Sequence, residues 1–267
     1  MPEDGRARPS LPPAAKPGMK PSAVTPILLI PARLASIRLP GKPLADIHGR
    51  PMVLHVLDRA REAGIGPAAV AAAEPAILDA VRAAGGAAVL VPDDVPSGTD
   101  RIHRALRLLD AAGAHDVVVN LQGDLPTIPP AFLRAVLAPL ADPAVDIATL
   151  VAPITSAEEA AAPSVVKCAC AFPDGAATAP ALYFSRQAIP WGEGPLWHHI
   201  GVYAFRRAAL DRFVALPASP LERREKLEQL RALEAGMRIG AVRVDHAPFG
   251  VDTPADLERA RAALAPA

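Results

Sequence analysis

The sequence predicts an α/β protein: a mixed, mainly parallel Rossmann-like sheet with helices on both faces and a smaller strand-rich insert. Three observations predict it. From Ile27 onward, short apolar runs alternate with stretches of helical periodicity. One run, "DVVVNLQGD", places three consecutive valines in what reads as a strand buried on both faces. After about Asp146 the pattern changes to strand after strand, and helical periodicity returns only near Ser219.

Taken in order, residues 1–26 hold seven of the 31 prolines and no sustained apolar periodicity, so they read as a disordered leader outside the fold. The single folded domain is expected over 27–267. "PILLI" is a strand that runs into a cationic loop. "RPMVLHVLDRAREAG" carries apolar residues at 53, 54, 56, 57 and 60 and closes on Gly64, a helix with a glycine stop. "AAVAAA" and "AAVLVP" read as strands around the helix "EPAILDAVRAAGG". "SGTDRIHRALRLLDAAG" is a helix with Ser97 or Thr99 available as its cap. "PPAFLRAVLAPL" is helical, with proline in its first turn. The strand-rich insert, about 147–207, contains "DIATLVAPI", "VVKCACAF", "APALYFSR" and "HHIGVYAFRR". Two helices close the chain, "PLERREKLEQLRALEAG" and "TPADLERARAAL".

Composition excludes several function classes. Lys+Arg and Asp+Glu are 28 each, and aromatics total 4%, so there is neither the basic excess nor the aromatic stripe of a nucleic-acid binder. No apolar run approaches the roughly 18 residues of a membrane span, and the N-terminus lacks a signal-peptide core. A cytoplasmic protein is expected. The two cysteines, Cys168 and Cys170, alternate on a predicted strand and should face opposite ways, which disfavours a bridge or a shared metal.

Positive charge is therefore local. "IPARLASIRLPGKPL" sets Arg33, Arg38 and Lys42 on a loop stiffened by prolines, immediately after the first strand. In an open α/β sheet, ligands bind outside the carboxyl ends of the strands. A stiff loop loses little entropy on closing its cations around a polyphosphate. It is not a Walker loop, because Pro43 stands where Ser or Thr must follow the lysine. The dinucleotide glycine pattern fails too: Gly64 and Gly66 are followed by Ala69 where the third glycine belongs. Asp124 closes the valine strand, where a lone carboxylate is costly unless paired or metal-bound. Asp252 stands just outside a capping box formed by Thr253 and Asp256 and is free to bind.

The loop resembles the N-terminal signature of the sugar-acid cytidylyltransferases, and within them the CMP-Kdo synthetases (3-deoxy-manno-octulosonate cytidylyltransferases). "GRPMVLHVLDRARE", "SGTDR", "VVVNLQGDLPTIP", "ALYFSR", "IPW", "SPLERREKLEQLR" and "GVDTPADLERAR" resemble that family in the same order, across about 27–265. The resemblance implies a fold of the nucleotide-diphospho-sugar transferase type. It implies transfer of CMP from CTP to the anomeric hydroxyl of Kdo, with Mg²⁺, for lipopolysaccharide biosynthesis. By that resemblance, Asp124 and Asp252 hold the metal, and Arg33 and Lys42 neutralise the triphosphate and its leaving pyrophosphate. Arg38, Ser97 and Gly98 complete the nucleotide side. Gln122, Tyr183, Arg186, His199, Glu228 and Gln229 fall on the sugar side, although His198 and His199 alternate and only one can face it. A homodimer built on the insert is also implied.

The chain departs from the family pattern at the nucleotide pocket. Ala71-Ala72-Ala73 replaces Ala-Thr-Asp, Pro96 replaces a glutamine, and Leu125 replaces a glutamate. The segment between Trp191 and His198 is short, and His198 stands where an arginine is common. These changes keep two alternatives in view: a cytidylyltransferase for another sugar acid, such as amino-Kdo or a sialic acid, and a catalytically silent nucleotide binder.

Overall fold

The computed structural model describes residues 24–36, 38–92 and 94–265. Nearly all of the predicted leader lies outside them. Its last residues do not: Thr25 pairs through its amide and hydroxyl with Asp116, and Pro26 opens the first strand, so the folded domain includes residues just before Ile27.

The first half runs β1 (Pro26–Ala32), the short hairpin β2 (Asp46–Ile47) and β3 (Arg50–Pro51), then α1 (Met52–Glu62), β4 (Ala68–Ala72) and α2 (Pro75–Ala83). It continues through β5 (Ala88–Leu90), α3 (Gly98–Leu109), β6 (Val117–Asn120) and α4 (Pro130–Ala135). The second half contains β7 (Ile147–Pro153), α5 (Ala157–Ala161), β8 (Lys167–Ala169), β9 (Thr178–Pro180), β10 (Tyr183–Ser185) and β11 (Trp197–Arg206). It ends with α6 (Arg207–Ala215), α7 (Pro220–Glu225), α8 (Leu230–Glu234), β12 (Ile239–Arg243) and α9 (Pro254–Ala263).

The main sheet has the order β5-β4-β1-β6-β11-β7-β12-β9, with β8 and β10 paired to the side. β5, β4, β1 and β6 are parallel, as the alternation of strand and helix requires. β11 is antiparallel to both of its neighbours, β6 and β7, which makes the sheet mixed. Strand alternation builds two cores. Leu28, Ile30, Val117 and Val119 pack under α1, α2 and α4 on one face. Ile27, Leu29 and Val118 pack under α3, α6 and α8 on the other.

Three expectations change. The stretch 147–207 is not wholly an appendage: β7 and β11, which bound it, are interior strands of the main sheet, and the β8–β10 pair lies to the side. The helix expected from Pro220 to Glu234 breaks at Lys226, whose φ of 57° is left-handed, so Leu227 and Gln229 turn inward and are buried. Finally, β8 ends at Ala169, so alternation stops before Cys170. Both thiols are free and lie in the same apolar cluster, where the neighbouring Cys170 thiol, and then burial, push Cys168 well above its ordinary range.

Candidate active site

A cleft of about 470 Å³ opens at the carboxyl ends of β1 and β6. Each wall follows from local sequence. Beyond β1, Gly41 adopts φ 68°, a left-handed conformation that glycine takes without strain, and starts the tight 3-10 turn Lys42–Leu44. This turn directs Lys42 inward. Beyond β6, Gly123 passes so close to β1 that a Cβ there would meet the Pro31 carbonyl oxygen at 2.9 Å. The approach brings Gln122 and Asp124 over the end of β1. The amide of Val251 donates to the Asp124 carbonyl at 2.9 Å, which sets Asp252 beside Asp124.

The centre of the cleft is a charge cluster. Lys42 Nζ lies 2.9 Å from Asp124 Oδ2 and 3.0 Å from Asp252 Oδ1, and Arg38 Nη2 lies 2.9 Å from Asp252 Oδ2. Burial works to lower the Lys42 pKa, but the two carboxylates more than offset it and hold the ammonium charged. The capping box of α9 uses Thr253 and Asp256, which leaves the Asp252 carboxylate to Lys42 and Arg38. Arg33 lines the same cleft from the exposed side of the loop.

Ser97, Gly98 and Gln122 complete the wall. Ser97 is the N-cap of α3 and accepts the Asp100 amide at 3.2 Å. Asp100 Oδ2 and Glu228 Oε1 both lie 2.7 Å from its hydroxyl oxygen. A serine hydroxyl has one hydrogen to donate, so the two carboxyls share it. Burial raises the Glu228 pKa, against the opposing pull of the hydrogen bonds from Ser97 and Thr99. The other Glu228 oxygen accepts from Thr99 Oγ1 at 2.8 Å. Asn120 extends the chain with long contacts of 3.4 Å to both Thr99 and Gln122.

Of the residues predicted for the site, Arg33, Arg38, Lys42, Ser97, Gly98, Gln122, Asp124 and Asp252 line one cleft. Glu228 reaches it through Ser97. Gln229 sits behind it beside Glu228 and Tyr203, with its Nε2 buried and lacking a hydrogen-bond partner among the described residues. His199 is deeper: its Nε2 lies 3.1 Å from Thr149 Oγ1, its ring packs between Phe184 and Tyr203, and burial lowers its pKa to about 3. His198, the other of the pair, turns away to Glu159.

Tyr183 and Arg186 are not among the residues of the cleft. Tyr183 lies half-buried on β10, and the Arg186 guanidinium donates to the carbonyls of Pro163, Glu225 and Lys226, bracing the break between α7 and α8. Sequence reasoning missed Arg101, Thr99 and Asn120. Arg101 lines the cleft while buried and donates to the Val91 and Pro92 carbonyls. Its only sequence signal was the last letter of "SGTDR".

Paired carboxylates and four cations, Arg33, Arg38, Lys42 and Arg101, line one cleft at the strand ends of a mixed α/β sheet. The model described as Cytidylyltransferase matches residues 27–239, and the chain belongs to that family. Within it, the chain is 64% identical to the 3-deoxy-manno-octulosonate cytidylyltransferase of Rhodospirillum centenum, over 90% of this chain and 94% of the relative. The protein of the same name from Parvibaculum lavamentivorans is 60% identical, with 94% and 97% covered. A solved structure of CMP:2-keto-3-deoxy-manno-octonic acid synthetase complexed with CTP superposes with a TM-score of 0.82 at 41% identity, covering 90% of this chain and 98% of that one. The resemblance carried by the motifs is thus borne out. A 4-diphosphocytidyl-2C-methyl-D-erythritol synthase, at TM-score 0.61 and 16% identity, shares the fold.

Proposed function

We propose that this chain transfers CMP from CTP to the anomeric hydroxyl of Kdo, giving CMP-Kdo and pyrophosphate for lipopolysaccharide biosynthesis. The single observation that carries the reading is the Lys42–Asp124–Asp252 cluster, flanked by Arg33 and Arg38, in a chain so similar to named 3-deoxy-manno-octulosonate cytidylyltransferases.

The anomeric oxygen attacks the α-phosphorus, the bond to the β-phosphate bridging oxygen breaks, and the hydroxyl proton departs. Charge moves onto pyrophosphate as that bond breaks. Lys42 and Arg33 stand where they stabilise it, and a donor aimed at developing charge acts on the rate rather than on binding alone. Gly98, at the start of α3, leaves room for close approach of the nucleotide. Gln122 offers its amide to a sugar hydroxyl. Glu228 and Gln229 form the wall behind it. His199 stays neutral at physiological pH and fixes Tyr203 by packing.

Mg²⁺ fits this donor set. Among the described residues no cluster of three or more His, Cys, Asp or Glu is placed to hold a metal. Asp124 and Asp252 form a pair, however, and Mg²⁺ commonly takes one or two carboxylates and completes its octahedron with phosphate oxygens and water. Both carboxylates remain partly exposed, 30% and 43%. When bound, the ion neutralises phosphate charge and activates the hydroxyl.

A homodimer is proposed on the β8–β10 side, where Leu182 and Trp191 are 68% and 99% exposed and present apolar surface to a partner. The protein is proposed to act in the cytoplasm. Among the described residues no helix is long and apolar enough to cross a membrane.

Substituting Asp124→Asn and Asp252→Asn separately tests the reading. Each variant should keep its circular dichroism and lose pyrophosphate release. Full activity in either would remove that residue from the centre.

A further inference from the structure

We infer that Glu74 is a positioning residue for the nucleotide side of the cleft, acting through the backbone of the cationic loop; this rests on the nucleotide reading of that cleft. Glu74 is the N-cap of α2, the place where a side chain ordinarily accepts an amide of its own helix. It does not do so here. Its backbone carbonyl accepts the amides of Ile77 and Leu78, and its carboxylate turns away from the helix. Both carboxylate oxygens instead accept the amide of Leu34, at 3.2 and 3.1 Å.

Leu34 is the root of the loop. Its carbonyl accepts the Gly41 amide at 3.1 Å, so residues 34 and 41 are tied together. Its side chain packs on the core below α1 and α2. The Leu34 amide belongs to the peptide that joins it to Arg33, and Gly41, the other tied residue, directly precedes Lys42. A carboxylate that fixes Leu34 therefore fixes the spacing of two phosphate-facing cations without touching the ligand. An acceptor that is charged and shared by two oxygens makes a stronger tether than a neutral cap. Glu74 also follows Ala73, whose amide is bonded to the Ala32 carbonyl at the end of β1, so β1 and the start of α2 are linked on both sides of the loop's base.

The test compares Glu74→Ala and Glu74→Gln with the parent. Without substrates, hydrogen exchange at the Leu34 and Gly41 amides should accelerate in Glu74→Ala, whatever nucleotide the cleft takes. With substrates, its KM for CTP should rise about tenfold, the loss of one charge-assisted hydrogen bond, while KM for the sugar acid stays within about twofold. The thermal midpoint should fall by no more than about 5 °C, the share of one local hydrogen bond in a domain of this size. Glu74→Gln keeps one acceptor oxygen and should recover most of the effect. Unchanged exchange in Glu74→Ala would overturn the tether. Faster exchange with an unchanged KM for CTP, or with both KM values shifted and the thermal midpoint lowered beyond that, would overturn the positioning role. Faster exchange in a chain that uses no CTP would leave the tether standing and remove the reaction assigned to the cleft.

Discussion

Lys42 is the side chain on which the reading of the cleft turns, and Lys42→Met isolates it by keeping the stem and removing the charge. Its ammonium holds Asp124 at 2.9 Å and Asp252 at 3.0 Å. At that separation, with an effective dielectric of about 20, each pair interacts by roughly 5 kcal/mol. Most of this is not net stability. Both carboxylates reach solvent, and Arg38 keeps Asp252 paired when Lys42 is gone. A loss of about 1–2 kcal/mol in folding is expected. The catalytic effect should be larger, because Arg33, the other cation assigned to the leaving phosphates, lies on the exposed side of the loop and does not take the place of Lys42 as a donor aimed at them. Removing one such donor costs about 2.7–4 kcal/mol, or roughly 10²–10³ in rate. The assay is initial-rate pyrophosphate release, with CTP varied at saturating Kdo and then Kdo varied at saturating CTP. kcat/KM for CTP should fall by about that factor, and KM for Kdo should stay within about twofold. A selective rise in KM for Kdo would place the triphosphate elsewhere. A fall in kcat/KM for CTP of less than about threefold would refute the role of Lys42 altogether.

Other perturbations probe neighbouring parts. Gly123→Ala would push a methyl to 2.9 Å from the Pro31 carbonyl oxygen, a backbone atom that cannot rotate away, so Asp124 must shift; turnover should drop at least tenfold, on the order of a 1.4 kcal/mol displacement cost, with little loss of solubility. His199 has its folded pKa depressed from 6.5 to about 3. Its stabilising contribution is thus present above 6.5 and lost as pH falls from there towards 3, on the order of 5 kcal/mol, and His199→Gln should flatten that acid limb in denaturant titrations. Glu228 shifts the other way: its raised pKa favours the fold below its ordinary 4.5, and that contribution is lost as pH climbs through the folded value. Glu228→Gln should remove that fall in stability with rising pH from the same denaturant titrations; an unchanged profile would contradict the role of its burial.

The fold was legible where periodicity was strong. Three valines in β6 and the alternating residues of β1 announce two-sided burial, and glycine stops and capping residues mark the helices. The charged loop was legible because proline, glycine and cations coincide there. What stayed hidden depended on tertiary placement. Nothing local says that β11 inserts between β6 and β7, since its register is set by partners 44–89 residues away in sequence. The helical pattern of "ERREKLEQLRALE" conceals the left-handed turn at Lys226 that faces Gln229 inward. Arg186 carries the right chemistry for an anionic sugar, yet its guanidinium is drawn to the Glu225 and Lys226 carbonyls left open by that break and to the carbonyl of Pro163. Glu74 reads as an ordinary helix start, and only the path of the loop reveals its second partner.

Pyrophosphate release with Mg²⁺, Kdo and each of CTP, UTP, ATP and GTP in turn is the measurement that bears most directly on the proposed reaction. Release with CTP alone is expected, and would fix reaction, donor and acceptor together despite the departures from the family pattern at Ala72, Ala73, Pro96 and Leu125. No release with CTP, from folded protein supplied with Kdo and the metal, would contradict it.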